Sequence, residues 1–204
     1  MRLALLATWA WMWGSGAAAA EPWRNGDLIF HTSQTAQSWP IRVVTRSPLS
    51  HCGILWQDRG RWWVFEAAGR VQRTHLEDFL DRGQGRHYRV KRYRGGLSKQ
   101  QRLAMLAEGQ RLLGRAYDAQ FRWGDDELYC SELIWMVFTR GAGIRLGEPQ
   151  RFGQLDLSSP EARRLIRQRR LPQPEELVVT PAALDRLRQL ETVGDTYPAA
   201  SSGR

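Results

Sequence analysis

The chain runs to 204 residues, 42% of them hydrophobic, with 30 Lys and Arg against 21 Asp and Glu for a formal net charge of +9. That length suits one domain with a substantial core. The positive balance favours anionic surfaces such as wall polymers, lipid head groups or nucleic acid, but no helix-turn-helix, zinc-finger or RNA-binding motif accompanies it, which argues against nucleic acid.

Arg2 precedes an apolar stretch over residues 3–13, and the small-residue run 14–20 ends in Ala18-Ala19-Ala20. This is the pattern of a secretory signal with an A-x-A cleavage site. Residues 1–20 are therefore expected to be removed, and the mature chain to begin near Glu21, in the periplasm or outside the cell. The apolar part is shorter than the ~20 residues a transmembrane helix needs, and no later stretch is apolar for long enough to cross a membrane. No Cys stands at the cleavage point to carry a lipid anchor.

Asn25-Gly26-Asp27 is a turn signal before the short apolar strand Leu28-Ile29-Phe30. Residues 32–48 are polar with one apolar patch at 41–44, which fits a loop or a short helix. Strands are expected over residues 51–56 and 62–66, joined through Gln57-Asp58-Arg59-Gly60 as a hairpin, and a further strand over 70–74 follows Gly69. Residues 76–80 fit a short helix and 88–93 a strand. The period then changes. Ser98 precedes residues 99–113, where Leu103, Leu106, Gln110 and Leu113 recur at helical spacing until Gly114 ends the run. A second helix is expected from about Ser131 through Phe138 to the stop at Gly141-Ala142-Gly143. Leu177-Val178-Val179 reads as a strand, Thr180-Pro181 opens a last helix through Leu190, and residues after Thr192 read as a frayed tail. The expected organisation is one α+β domain over residues 21–192, with a mostly antiparallel sheet, and a tail over 193–204.

Only two cysteines occur, Cys52 and Cys130, and in an exported protein two cysteines suggest one disulfide. Cys130 has a second reading. A thiol is nucleophilic as thiolate, and its ordinary pKa of roughly 8.5 falls beside an imidazolium or at a helix N-terminus. The apolar helix follows Cys130 at once, so the residue lies at or just inside a first helical turn. The free N–H groups of such a turn also suit the oxyanion of an acyl transfer. On position alone the same residue fits a small side chain packing a helix start. His51 opens a strand, a stiff mount for a general base. Glu66 ends the partner strand, where cross-strand neighbours lie ~5 Å apart and a carboxylate can orient an imidazole. Read singly, His51 fits an ordinary core-edge histidine and Glu66 a solvated strand end. His31, His75 and His87 show no ligand spacing with one another or with a cysteine, so no metal site is expected.

Taken together, the pieces resemble a known arrangement. Gly26-Asp27-Leu28-Ile29-Phe30, Ser50-His51-Cys52-Gly53-Ile54, Phe65-Glu66-Ala67 and Leu128-Tyr129-Cys130-Ser131-Glu132-Leu133 are similar to the YiiX/YaeF-type family, circularly permuted relatives of the NlpC/P60 papain-like amidases. Gly114-Arg115-Ala116-Tyr117-Asp118 with Phe121, and Val179-Thr180-Pro181, match further segments. The likeness spans roughly residues 26–187, and Tyr129-Cys130-Ser131-Glu132-Leu133 is its most specific piece. It implies a circularly permuted papain-like fold, an antiparallel sheet packed against helices, and amide or ester cleavage through a thioester without metal or cofactor. Carried over by position, it makes Cys130 the nucleophile, His51 the base and Glu66 the orienter. Tyr117, Tyr129 and Ser131 are expected around the substrate and its oxyanion. The expected partner is a peptide or acyl-amide substrate, with cell-wall peptide fragments first, and an anionic envelope surface suits the basic exterior. Lipid-directed acyl hydrolysis or transfer is the alternative on the same fold. One departure matters: where such proteins often carry a plain apolar residue after the histidine, this chain has Cys52. A Cys52–Cys130 bridge would leave a non-catalytic envelope-binding module. Strand alternation argues against the bridge, because if His51 faces Cys130 the next side chain points to the opposite face.

Overall fold

The computed structural model describes residues 23–168 and 172–198; the expected signal segment and residues 199–204 of the expected tail lie outside them. The chain opens with β1 (Leu28–Ser33), α1 (Ser38–Thr45), β2 (His51–Asp58), β3 (Arg61–Ala68), β4 (Arg70–His75), α2 (Leu76–Asp81) and β5 (Gly83–Tyr93). The hairpin between β2 and β3 is tighter than the sequence suggests. Only Arg59 and Gly60 turn, with φ of 49° and 77°, and Asp58 pairs directly with Arg61. Two residues with positive φ twist in the same sense as the strands they join, so both strands run on to the turn.

The second half carries α3 (Lys99–Leu112), α4 (Cys130–Met136) with a π-helical continuation over Val137–Ala142, β6 (Gln150–Arg151), α5 (Pro160–Arg167), β7 (Leu177–Val178), α6 (Pro181–Asp185) and β8 (Leu190–Asp195). Ser98 caps α3 through a full capping box with Gln101, which fixes where that helix starts. Thr180 accepts from the Ala183 N–H, and Pro181 opens α6. Strands β6 and β7 form a separate two-stranded ribbon.

Six strands make one antiparallel sheet in the order β4-β3-β2-β1-β5-β8. One face of it, with Leu28, Phe30, Cys52, Ile54, Phe65 and Ala67, packs against Leu133, Ile134 and Phe138 from α4 and its continuation. The other face, with Ile29, Leu55, Val64 and Val90, packs against Leu76, Phe79 and Leu80 of α2. Each fully buried Leu, Ile or Phe is worth roughly 1.5–3 kcal/mol relative to exposure, so the α4 interface is the main anchor of that helix on β2 and β3.

Three expectations are corrected. In α3 the buried residues are Met105, Gly109 and Leu112, while Leu103 and Leu113 are 57% and 40% exposed. The helix meets the π-helical segment at Gly141, where a Cβ would lie 2.7 Å from the Met105 backbone. Close backbone approach, rather than a stripe of leucines, therefore sets the inward face. The last helix stops at Asp185 instead of Leu190, and Leu190–Asp195 is an edge strand on β5. The frayed tail does not begin after Thr192: the Tyr197 hydroxyl accepts from the Thr32 N–H at 2.8 Å and shares a hydrogen bond with the Thr32 hydroxyl at 3.0 Å.

Candidate active site

Three elements bring the site together. His51 is the first residue of β2, Glu66 lies near the end of β3, and Cys130 is the first residue of α4. Ile54 pairs with Phe65, which puts Glu66 and His51 on one face of the sheet. The His51 Nε2 lies 2.6 Å from Glu66 Oε2 inside the protein. The His51 ring lies near enough to the Cys130 sulfur for each to act on the other's charge, and with Nε2 turned to the carboxylate the Nδ1 edge is the one left for the sulfur. Cys130, His51 and Glu66 are all buried, at 2%, 8% and 0% exposure.

The charges follow from this line. Burial would raise the Glu66 carboxyl, but His51, Arg82 and the Thr74 hydroxyl hold it at about 2. Burial would lower His51, but the Cys130 sulfur and Glu66 raise it to about 9. Cys130 is held well below the ordinary thiol, first by a hydrogen bond from the Cys52 thiol and then by His51, against the opposing effect of burial. The resting pair is thiolate and imidazolium, with the carboxylate behind.

Helix α4 starts from Tyr129, which provides no side-chain cap. The N–H groups of the first turn, those of Cys130 and Ser131 among them, therefore lie at the positive end of the helix without a cap from that side chain. Burial and then the nearby Cys130 push the Tyr117 phenol up, and the residue lines a cavity with His31, Ser33, Arg82 and His51. An apolar pocket opens on the Cys130 side, lined by Ile41, Val44, Phe121, Phe152, Leu155 and Val178 among others. A shallower hollow at Gln37, Pro40 and Phe121 shares walls with both. The sulfur and the imidazole thus lie along one groove, polar at the His51 end and apolar at the Cys130 end.

The structure brings Cys130, His51, Glu66 and Tyr117 together and assigns other work to two expected residues. Ser131 Oγ donates to the Val179 carbonyl at 2.7 Å, and the Tyr129 hydroxyl accepts from the Val179 N–H at 3.1 Å. Both hydroxyls tie the Val179-Thr180-Pro181 segment to α4, so neither is free to reach an oxyanion. The alternation argument about Cys52 also fails. Cys52 packs on the helix face with Cys130 and gives it both a thiol and a backbone N–H contact. His51, on the opposite face, still reaches the sulfur because it stands at the very start of its strand, where a side chain can turn round the end of the sheet. Both cysteines are free thiols.

Several contributors went unread in the sequence. Arg82 makes an ion pair with Glu66, and Thr74 donates to the same carboxylate oxygen. Thr74 was reachable from the register, since Glu66 pairs with Gln72 and Thr74 is the next residue on that face; nothing local marks Arg82. His31 stacks on Phe79 at 4.3 Å between ring centroids and lies 5.2 Å from the His51 ring. Burial takes it down to about 3, so it is a neutral wall beside the imidazolium. Glu132 is fully buried; Oε1 accepts from the Gly124 N–H at 3.1 Å, and Oε2 has no partner among the described residues. Burial raises its carboxyl to about 8.

A family model described as permuted papain-like amidase enzyme, YaeF/YiiX, C92 family, matches residues 23–194. The uncharacterised protein YiiX of Escherichia coli (strain K12) is 38% identical over 181 residues, covering 87% of this chain and 89% of that protein. A crystal structure of yiiX from Escherichia coli O157:H7, described as a metalloprotein, superposes with a TM-score of 0.80 at 37% identity, covering 86% of this chain and 98% of that one. Among the described residues of the present chain no three His, Cys, Asp or Glu side chains are grouped so as to hold an ion. The chain belongs to the permuted papain-like amidase family of YaeF and YiiX, and its antiparallel sheet and helices are the α+β papain-like fold of that family.

Proposed function

We propose that the protein is an exported cysteine hydrolase that cleaves amide bonds in peptide-type substrates, cell-wall peptide fragments among them, through a thioester on Cys130. The observation that carries this reading is the buried line from the Cys130 sulfur through the His51 ring to Glu66, with Nε2 and Oε2 2.6 Å apart. The thiolate attacks the amide carbonyl carbon, and the carbonyl electron pair moves onto oxygen, beside the open N–H groups of α4 and the Tyr117 hydroxyl. The C–N bond then breaks as His51 passes its Nδ1 proton to the leaving amine. Neutral His51 next takes a proton from water, whose oxygen attacks the thioester and releases the thiolate. Throughout, Glu66 holds the ring in place and stabilises its charged form.

The wholly apolar pocket beside Cys130 favours a second reading, in which the acyl group bound there is a hydrocarbon chain and the substrate is a lipid amide or ester. A cation and an exposed aromatic next to Pro40 of that pocket suit a lipid interface: Arg164 lies 5.7 Å from the exposed Trp39 ring.

The test is mass spectrometry of the protein after incubation with matched peptide amides, lipid amides and esters. An acyl mass on the peptide containing Cys130, absent from Cys130→Ala, is expected, and the added group identifies the substrate class. Turnover undiminished in Cys130→Ala would overturn the proposal. Co-sedimentation with anionic vesicles against purified wall sacculi separates the two readings.

A further inference from the structure

The sulfur that would do this chemistry has a second sulfur beside it. Cys52 and Cys130 are both reduced, both buried and packed in one apolar cluster between β2 and α4. Cys52, on the face of β2 that meets α4, neighbours Cys130 at the first residue of that helix closely enough to act on its sulfur. Phe30, Ile54, Phe65 and Leu133 of the same cluster are inert to peroxide, and Met105 and Met136, also in it, oxidise only to sulfoxides that cannot cross-link. One flank of Cys130 opens on the apolar pocket, large enough for a molecule the size of hydrogen peroxide. A thiolate in that position is the form that peroxides attack, and the fate of the first product depends on whether a resolving thiol is within reach.

We propose that Cys130 and Cys52 form a peroxide-reactive couple, in which a hydroperoxide oxidises Cys130 and Cys52 captures the product as a reversible Cys52–Cys130 disulfide. The inference rests on Cys130 being the ionised thiol of the proposed hydrolase. In the first step the Cys130 sulfur attacks one peroxide oxygen. The S–O bond forms, the O–O bond breaks, and the departing hydroxide is protonated to water. Cys130 is then a sulfenic acid, oxidised by two electrons, and the peroxide is reduced by the same two. In the second step the Cys52 sulfur attacks the sulfenic sulfur. The S–S bond forms, the S–O bond breaks, and the hydroxide released takes up the Cys52 proton as a second water. An added dithiol reverses the couple by thiol exchange, returning both cysteines to thiols and leaving as its own disulfide. The couple halts hydrolysis while peroxide lasts and spares the nucleophile from the irreversible sulfinic and sulfonic states.

The experiment treats the mature protein with graded hydrogen peroxide and follows it by intact mass, non-reducing peptide mapping and Cys130 alkylation after dithiothreitol. The wild type is expected to lose two hydrogens, to yield one cross-linked peptide pair containing Cys52 and Cys130, and to recover at least nine-tenths of its alkylation on reduction, on the order expected for a reversible disulfide. Cys52→Ser and Cys52→Ala, each checked for folding by its thermal transition, should instead gain two or three oxygens at Cys130 and recover little. Wild-type Cys130 gaining those oxygens as fast as the variants, with no cross-link, would overturn the couple. A cross-link that forms in a protein whose Cys130 never accepts an acyl group would support the couple while removing the hydrolase.

Discussion

Glu66→Gln separates charge from shape at the buried end of the site. The carboxylate has 0% exposure and accepts from His51, Thr74 and Arg82. A glutamine carbonyl can still accept from the imidazole Nε2–H, so the ring keeps its tether and loses only its counter-charge. Glu66 is held at about 2 against an ordinary 4.5; at about 1.4 kcal/mol per unit that gap is on the order of 3 kcal/mol of folding stability. The figure agrees with the roughly 3–5 kcal/mol lost when one partner of a buried ion pair is removed. A depressed acid contributes its stability fully above its unfolded pKa and loses it as pH falls through the folded value. The deficit of the variant should therefore hold steady near neutral pH and shrink between about 4.5 and about 2. In a domain of this size the loss corresponds to a fall in Tm of roughly 6–12 °C near pH 7. Urea melts of both proteins near pH 7 and near pH 3 measure it, with iodoacetamide labelling of Cys130 as a second reading, expected to slow roughly tenfold or more at about pH 6. A deficit under about 1 kcal/mol near pH 7, or one that stays the same near pH 3, would refute the reasoning.

Hydrolysis and alkylation should part company at high pH. Both need the thiolate, but protonating a leaving amine also needs imidazolium, so kcat/KM should fall above about 9 as His51 loses its proton while the alkylation rate does not; a parallel fall in both would contradict the assignment. Ser131→Ala removes the bond to Val179 and should cost about 1 kcal/mol in a denaturant melt, with the Cys130 labelling rate unchanged; a large labelling defect in a stably folded variant would restore Ser131 to the chemistry. Glu132→Gln tests a raised carboxyl. Its acid form is stable when folded, and stability is lost as pH rises from the ordinary 4.5 towards about 8. The variant should therefore gain on the wild type across that interval and not below it, which paired thermal melts will show.

What could be read from the chain is what is local. The hairpin, the strand starting at His51 and the helix starting at Cys130 each come from contiguous patterns, and the resemblance then linked residues far apart along the sequence. What was misread depends on tertiary contact. In α3 Leu103 points outward while Met105, Gly109 and Leu112 are buried, because Gly141 lets two backbones meet at Met105, a feature that counting apolar residues misses. Strand β8 carries Glu191 and Asp195, whose partners Arg94 and Arg89 come from elsewhere in the sheet, so alone it looks like a solvated tail. Cys52 was placed away from Cys130 because alternation fixes the faces of a strand but not what lies beyond its end. Arg82 reaches Glu66 from the residue after α2, a contact no spacing rule reveals.

The central claim is that His51 keeps the Cys130 sulfur ionised within the folded protein. The most direct measurement is the rate of iodoacetamide labelling at Cys130 as a function of pH, in wild type and in His51→Gln, with folding checked at each pH. The wild-type midpoint should lie well below that of an ordinary thiol, and His51→Gln should move it upward, with the influence of Cys52 left in place. Coincident midpoints in the two proteins would contradict the account.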